Sequence, residues 1–324
     1  MTPDVEKAQS NRRRVTVLAY ASIIFVIFLW GVYPVLTAGI LEYFSGGIYS
    51  LIGSAASAVA LTIICIPRLK LLNASYLRVA VPTGFAVATA NLIQKIGLEY
   101  TTPSYFAFLE NLSCITVPLM LYIFIKKKPG LLTCIASLLC LVACFFLSGA
   151  AEGPDGFSFG KGEILCAIAG IIYGINIAAT GAFAKKLDVL LYVMIHMWVS
   201  VFVSGFTVIL LDRIKINGEP VERIVFSTDW RHIAAAAALV LFFSTFGWLV
   251  RTEALKFVNA SVVAVMMPFS SLVTGAVAVM AGRDELTFGL IAGGILIIVA
   301  SILSGIGDAR DSNRQKRKEG EETE

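Results

Sequence analysis

Long stretches with no charged residue, or with one, dominate the chain, separated by short polar breaks, as far as residue 307. Residues 15–38, 47–66, 79–98, 103–125 and 131–148 form a first set. Residues 162–184, 189–211, 233–250, 260–281 and 288–307 form a second. Each lies near the roughly 20 apolar residues an α-helix needs to cross a bilayer core. The pattern predicts an all-α integral membrane protein of ten transmembrane helices. A stretch rich in Gly, Pro and Asp (Glu152, Gly153, Pro154, Asp155, Gly156) divides the two sets. The expected organisation is a cytoplasmic N-terminal segment (1–14), a five-helix repeat (15–149), an external linker (150–161), a second five-helix repeat (162–307) and a disordered cytoplasmic tail (308–324).

Composition sharpens this picture. Of 324 residues, 57% are hydrophobic and only 15% charged, too little polar surface to cover a soluble core of this size. The spans use up the chain and leave no room for a soluble catalytic domain. Arg12, Arg13 and Arg14 precede an uncharged run too long for the apolar core of a cleaved signal peptide, so that run reads as a first transmembrane helix. The net charge of +4 is spread between spans rather than gathered into a nucleic-acid surface, and no nucleic-acid partner is expected. With both termini inside, 19 of the 26 basic residues fall in inside segments, as the positive-inside rule requires. A cell (inner) membrane location with cytoplasmic termini follows. Cys65, Cys114, Cys134, Cys140, Cys144 and Cys166 all lie in apolar stretches without the paired spacing of a metal site or disulfide framework. They read as packing residues, and neither metal nor cofactor is expected.

The two sets also resemble each other. Setting Gly97 against Ala254 pairs Leu98 with Leu255, Ser104 with Ser261 and Ser113 with Ser270. After a one-residue gap near Lys127, Ile135-Ala136 matches Ile291-Ala292, and Leu147-Ser148-Gly149 matches Leu303-Ser304-Gly305. Near the start of each set, Trp30-Gly31-Val32-Tyr33 aligns with Tyr173-Gly174-Ile175-Asn176. Five is an odd number, so the second copy enters the membrane from the opposite side. That is the inverted-repeat plan of secondary transporters, with the binding site near the midplane between halves.

Several of these residues carry a family resemblance. Trp30-Gly31 is followed by Pro34 in the first helix, and Gly97-Leu98-Glu99-Tyr100-Thr101-Thr102-Pro103-Ser104 leads into the fourth. Ala254-Leu255-Lys256-Phe257-Val258-Asn259-Ala260-Ser261 leads into the ninth, which contains Pro268, and Gly289-Leu290-Ile291-Ala292-Gly293-Gly294 lies in the tenth. In this combination and order the chain resembles the EamA-like branch of the drug/metabolite transporter superfamily over essentially its whole length. The resemblance implies ten helices in two repeats and outward movement of small metabolites, often amino acids. The chain departs from the pattern where the ninth helix has Met267-Pro268 and the fourth has Glu110-Asn111.

Glu110 is the leading candidate for substrate binding or proton coupling, with Asn111 beside it. A charged side chain near a helix centre costs about 2.5–3.5 kcal/mol and is retained where it faces a cavity or a partner. Asn91 and Lys95 share a face of the third helix with Gln94, being spaced at i, i+4 and i+3. Asn91 falls at the depth of Glu110, whereas Lys95 lies nearer the outer surface and can snorkel. Trp30 and Tyr33, and their counterparts Tyr173 and Asn176, can line a pocket. His196 is the histidine inside a span and reads as a packing residue or a cavity residue. Trp248 can line the cavity, while Arg251 reads as the cytoplasmic edge. Pro82, Pro118 and Pro268 can kink their helices. Ala136, Cys140, Cys144 and Ser148 recur every fourth residue, as do Gly289 and Gly293, and predict close helix contact in a scaffold or dimer.

The spans hold few clustered His, Asp or Glu and no phosphate-binding loop, which argues against an enzyme and against an ATP-driven pump. The best-supported expectation is a secondary active transporter that exports an amino acid or related metabolite by alternating access. Its partners are the lipid bilayer, a small-molecule substrate and protons as coupling ion, with the chain as monomer or homodimer. A drug or nucleotide-sugar transporter of the same superfamily, and a non-transporting membrane scaffold, stand as alternatives.

Overall fold

The structure, a computed structural model, describes residues 3–101, 106, 109–126, 128–147, 160–211, 215–216, 219–220, 224–280 and 288–321. Apolar helices make up nearly all of it. In chain order they are α1 (Pro3–Ile40), α2 (Gly46–Cys65), α3 (Ala74–Leu98), α4 (Ser113–Ile125), α5 (Leu131–Leu147), α6 (Lys161–Phe183), α7 (Val189–Leu211), α8 (Trp230–Leu239), α9 (Phe246–Ala254), α10 (Ala260–Met266), α11 (Phe269–Met280) and α12 (Phe288–Glu321). A 3₁₀ turn, Ile66–Leu71, extends α2, and a π-helical turn, Val240–Thr245, joins α8 to α9 without a break. The long connection after α7 holds a two-residue antiparallel pair, β1 (Lys215–Ile216) and β2 (Glu219–Pro220).

Among the described residues, seven helices are long and apolar enough to cross a membrane: Arg14–Ile40, Gly46–Leu71, Ala74–Leu98, Lys161–Phe183, Val189–Leu210, Trp230–Ala254 and Ala260–Val277. Three others, Ser113–Ile125, Leu131–Phe146 and Ile291–Gly307, are apolar but shorter. The 152–156 linker lies outside the described residues. The tail, where composition predicts disorder, continues α12 as helix to Glu321.

Local chemistry explains where the helices start and stop. Asn73 and Asp229 cap α3 and α8, each side chain accepting a hydrogen bond at 2.9 Å from the amide two residues on. Asn259 caps α10 in the same way. Lys126 ends α4 in the left-handed conformation, with φ of 54°. Pro34, Pro82 and Pro118 stay inside continuous helices, but Pro268 sits in the turn between α10 and α11.

Helix ends gather at two opposite levels. At one level, Ala19 near the start of α1 packs with Leu121, Val258 and Ala260. Arg68 after α2 pairs with Asp188 before α7, and the Asp188 amide donates to Tyr76 Oη in α3. A Cβ on Gly307 would lie 3.1 Å from Leu132 Cβ, which brings α12 to the start of α5. Both termini therefore extend from this level. At the other, the Gly46 amide donates to the Glu99 carboxylate, and the Ser45 amide donates to the Val225 carbonyl at 3.0 Å.

The bundle is apolar outside and polar within. Phe28, Ile63, Phe85, Phe202, Phe206 and Ile209 are exposed, whereas Arg251, Asn176, His196, Lys95 and Gln94 are buried. A soluble protein has the reverse arrangement; lipid as solvent accounts for this one. α5 packs along α12, with Ala136, Cys140 and Cys144 fully buried, so this stripe of small residues belongs to the scaffold.

Candidate functional site

Two helix breaks mark the middle of the bundle. Leu109 and Glu110 are helical, Asn111 and Leu112 form a turn, and α4 begins at Ser113. In the second half, α10 stops at Met266, Met267 and Pro268 form the turn, and α11 begins at Phe269. Proline causes the second break by removing a backbone donor. The first has none, so the continuous fourth helix expected from the sequence is interrupted at an asparagine. Asn111 Nδ2 donates to Ser271 Oγ at 2.7 Å, tying one break to the first turn after the other.

Glycines on α1 and α6 let these broken segments come close. A Cβ on Gly31 would lie 2.5 Å from Val273 Cβ and 2.8 Å from the Ser270 carbonyl oxygen. A Cβ on Gly174 would lie 2.5 Å from Thr116 Cβ and 3.1 Å from Ser113 Cα. Gly31 and Gly174 are aligned residues, as are Ser270 and Ser113. One turn before Gly174, Gly170 lies against the Leu109 carbonyl and 3.1 Å from Glu110 Cα, measured from the position of a Cβ.

A cavity opens between these elements. Trp30, Tyr33, Asn91, Glu110, Asn111, Tyr173 and Trp248 line it, which brings seven of the ten sequence-predicted residues to one place. Gln94 and Arg251 complete its polar wall. Tyr173 Oη lies 2.8 Å from Asn91 Oδ1 and 2.7 Å from Gln94 Oε1, while Gln94 Nε2 has no hydrogen-bond partner. Opposite them, the Arg251 guanidinium lies 3.9 Å from the Trp248 ring centroid and 5.5 Å from that of Trp30. Trp30 Nε1 donates to the Phe243 carbonyl at 3.0 Å, in the π-helical turn. Glu110 and Arg251 face one cavity, yet among the described residues no ion pair joins them.

Three predicted residues stand outside the lining. Lys95 is only 6% exposed, so it does not snorkel: its ammonium lies 3.5 Å from Ser50 Oγ and 4.9 Å from the Tyr49 ring centroid. The third helix packs against α2, α6 and α7, and the side chain lies within that packing. Asn176 is fully buried below the cavity, where its amide donates to the Thr83 carbonyl. His196 Nε2 lies 3.0 Å from Thr83 Oγ1.

Arg251 is the correction of greatest consequence. It is 1% exposed and lines the cavity instead of marking a membrane edge. Its position near the end of an apolar run hid this. The repeat register held the signal, because continuing the alignment of Gly97 with Ala254 places Arg251 on Gln94 and Trp248 on Asn91.

Among the described residues no group of His, Cys, Asp and Glu is suited to hold a metal. The cavity offers opposed charges, spare donors and aromatic walls. That set can bind and orient an amphoteric molecule.

Residues 160–306 match the model of the EamA-like transporter family. No curated protein matches the chain. Several solved structures match the chain; among them a crystal structure of a protein is similar in fold, with a TM-score of 0.69 at 13% identity, covering 92% of this chain and 98% of that one.

Proposed function

We propose, for a chain that the match over residues 160–306 identifies as an EamA-like transporter of the drug/metabolite transporter superfamily, a substrate path through the central cavity. Ten crossings in two inverted five-helix repeats enclose that path. The substrate is a zwitterion of amino-acid type with an apolar body, exported by alternating access with protons as coupling ion. The chain works as a monomer or homodimer in the inner membrane, with both termini cytoplasmic.

Helix packing supports the repeat. α1 lies on α11 and α6 lies on α4, the same contact with the halves exchanged. α2 with α7, and α5 with α12, are each paired with their own counterpart. The matching Gly31 and Gly174 contacts follow the register read from the sequence.

The observation that carries the substrate class is that Glu110 and Arg251 line one cavity with no ion pair between them among the described residues. Two opposite charges buried apart are costly, and a ligand bearing both charges offsets that cost. Glu110 accepts the ammonium or a proton. The Arg251 guanidinium and the Gln94 amide bind the carboxylate, a geometry that favours arginine. Trp30, Trp248 and Tyr173 hold the apolar part. A nucleotide sugar would call for several cations around its phosphates, and Arg251 is the cation among the described lining residues.

The test uses purified protein in liposomes. Thermal stabilisation across an amino-acid panel identifies the ligand, and uptake of the labelled hit follows transport. Glu110→Gln keeps shape and hydrogen bonding but cannot ionise. It should fold, reach the membrane and lose pH-dependent net transport. Exchange persists if the carboxyl carries only protons, and fails if it also binds the ammonium. A normal rate with an unchanged pH profile makes Glu110 structural.

A further inference from the structure

Below the cavity, toward the level of the termini, four helices are tied by one continuous hydrogen-bonded cluster. It starts at the substrate wall, where Arg251 Nη2 of α9 donates to Asn176 Oδ1 of α6 at 3.2 Å. The other end of the same amide, Asn176 Nδ2, donates to the Thr83 carbonyl of α3 at 2.9 Å. Thr83 Oγ1 in turn accepts from Tyr192 Oη of α7 at 2.7 Å and lies 3.0 Å from His196 Nε2. Tyr192 Oη is also 3.0 Å from Thr180 Oγ1, one turn beyond Asn176 on α6. Every side chain in the cluster is buried. The seam is tight at this level, because a Cβ on Gly84 would lie 3.0 Å from His196 Cδ2.

Among the described residues, Asn176 joins Arg251 of the cavity wall to this seam through both ends of its amide. Its carbonyl is a neutral acceptor for a charged donor, and Arg251 Nε has no partner. A carboxylate is charged, accepts in the plane of the guanidinium, and forms bonds about twice as strong as a neutral acceptor. It therefore outcompetes the amide for Arg251.

We propose that Asn176 is the latch that closes the half of the bundle nearer the termini, and that a carboxylate on Arg251 releases it. The step rests on the proposed reading of Arg251 as the carboxylate-binding residue. In the closed state Asn176 holds α6 to α3 while Arg251 holds Asn176 in place. A carboxylate at Arg251 removes that second hold. The amide then turns, the Thr83 carbonyl loses its donor, and the seam between α3 with α7 and α6 with α9 opens. A ligand can shift such an equilibrium only through different affinity for its two states, and Arg251 supplies the difference: it is shared with Asn176 when the seam is closed and free for the ligand when it is open.

The reporter is Ala80→Cys, on α3 one turn from Thr83 and fully buried in the closed seam. The protein is held in nanodiscs open to both faces, treated with a small hydrophilic methanethiosulfonate, and the label located by peptide mass spectrometry. In the otherwise unchanged chain the reporter should react slowly. Asn176→Ala should raise its rate about tenfold, from loss of the latch's hydrogen bonds. Tyr192→Phe keeps the ring, removes only the hydroxyl, and should raise the rate about threefold. If Asn176→Ala does not fold, Tyr192→Phe decides alone. Fast labelling without either change, or no rise in the variant that decides, overturns the latch.

The second arm adds L-phenylalanine. It should speed labelling about fivefold or more, in the ordinary range of coupling between sites, and Arg251→Gln should abolish that response. Thermal stabilisation by L-phenylalanine without faster labelling overturns the release step. No stabilisation by any amino acid counts against the substrate class, and leaves the latch to be judged on the first arm.

Discussion

The two halves of the bundle use the same backbone and opposite chemistry. Each breaks a helix at the corresponding point, and each brings a glycine from its first helix against the other half's broken segment. The cavity residues at matching positions differ throughout: Glu110 stands against Met267, Gln94 against Arg251, and Asn91 against Trp248. In the proposed reading repetition supplies the scaffold, but a symmetric cavity would repeat each charge in both halves. Divergence of the side chains gives the cavity one acid, one base and a set of aromatic rings. The difference teaches that the packing glycines and the residues lining the cavity are separate sets.

The largest effect that could break this comparison is topological. If the halves enter the membrane from opposite sides, a cysteine placed at 152–156 should react with an impermeant thiol reagent from outside, and one placed at 126–128 should not. Labelling of both from the same side would end the inverted arrangement.

A smaller effect tests the shared scaffold. Gly31→Ala and Gly174→Ala each add a Cβ 2.5 Å from a neighbouring Cβ, in Val273 and Thr116 respectively. Overpacking of this kind costs about 1–3 kcal/mol. The two variants should lose similar stability in a thermal melt in detergent. If one is silent, the correspondence between halves does not extend to packing.

The smallest effect concerns a difference that lies outside the cavity. Lys95 is buried behind Tyr49, while the matching residue is Thr252. Lys95→Met removes a buried charge without touching the lining, so transport should stay within about twofold and stability should hold or rise. A large loss of uptake would place Lys95 in the transport cycle after all.

Much of this architecture was legible from residue type alone. The first predicted span, 15–38, lies within Arg14–Ile40, and the third, 79–98, ends with α3. Glu110 stood out because an acid in hydrocarbon needs a reason to be there. The break at Asn111 was not legible, since asparagine only mildly disfavours a helix and the tie to Ser271 joins residues far apart in sequence. Lys95 and Arg251 misled for a related reason. Depth along a helix can be counted from a sequence, but whether a long cationic side chain meets lipid headgroups or a protein interior depends on which helices surround it. Repeat register is the one sequence signal that compares interior positions, and it pairs Arg251 with Gln94.

The π-helical turn at Val240–Thr245 has a consequence in the language of phase. From helix cap to cavity wall, the second half needs one residue more (Asp229 to Trp248) than the first (Asn73 to Asn91). In a regular α-helix one extra residue turns everything downstream by about 100°. A π turn takes in an additional residue without that rotation. Trp248 and Arg251 thus keep facing inward despite the insertion, and the carbonyl of Phe243 remains available to hold Trp30. Deleting one residue from this turn would restore a regular helix of the first half's length and leave Trp248 and Arg251 facing inward, whereas keeping the residue in a regular α-helical turn would swing them about 100° out of phase.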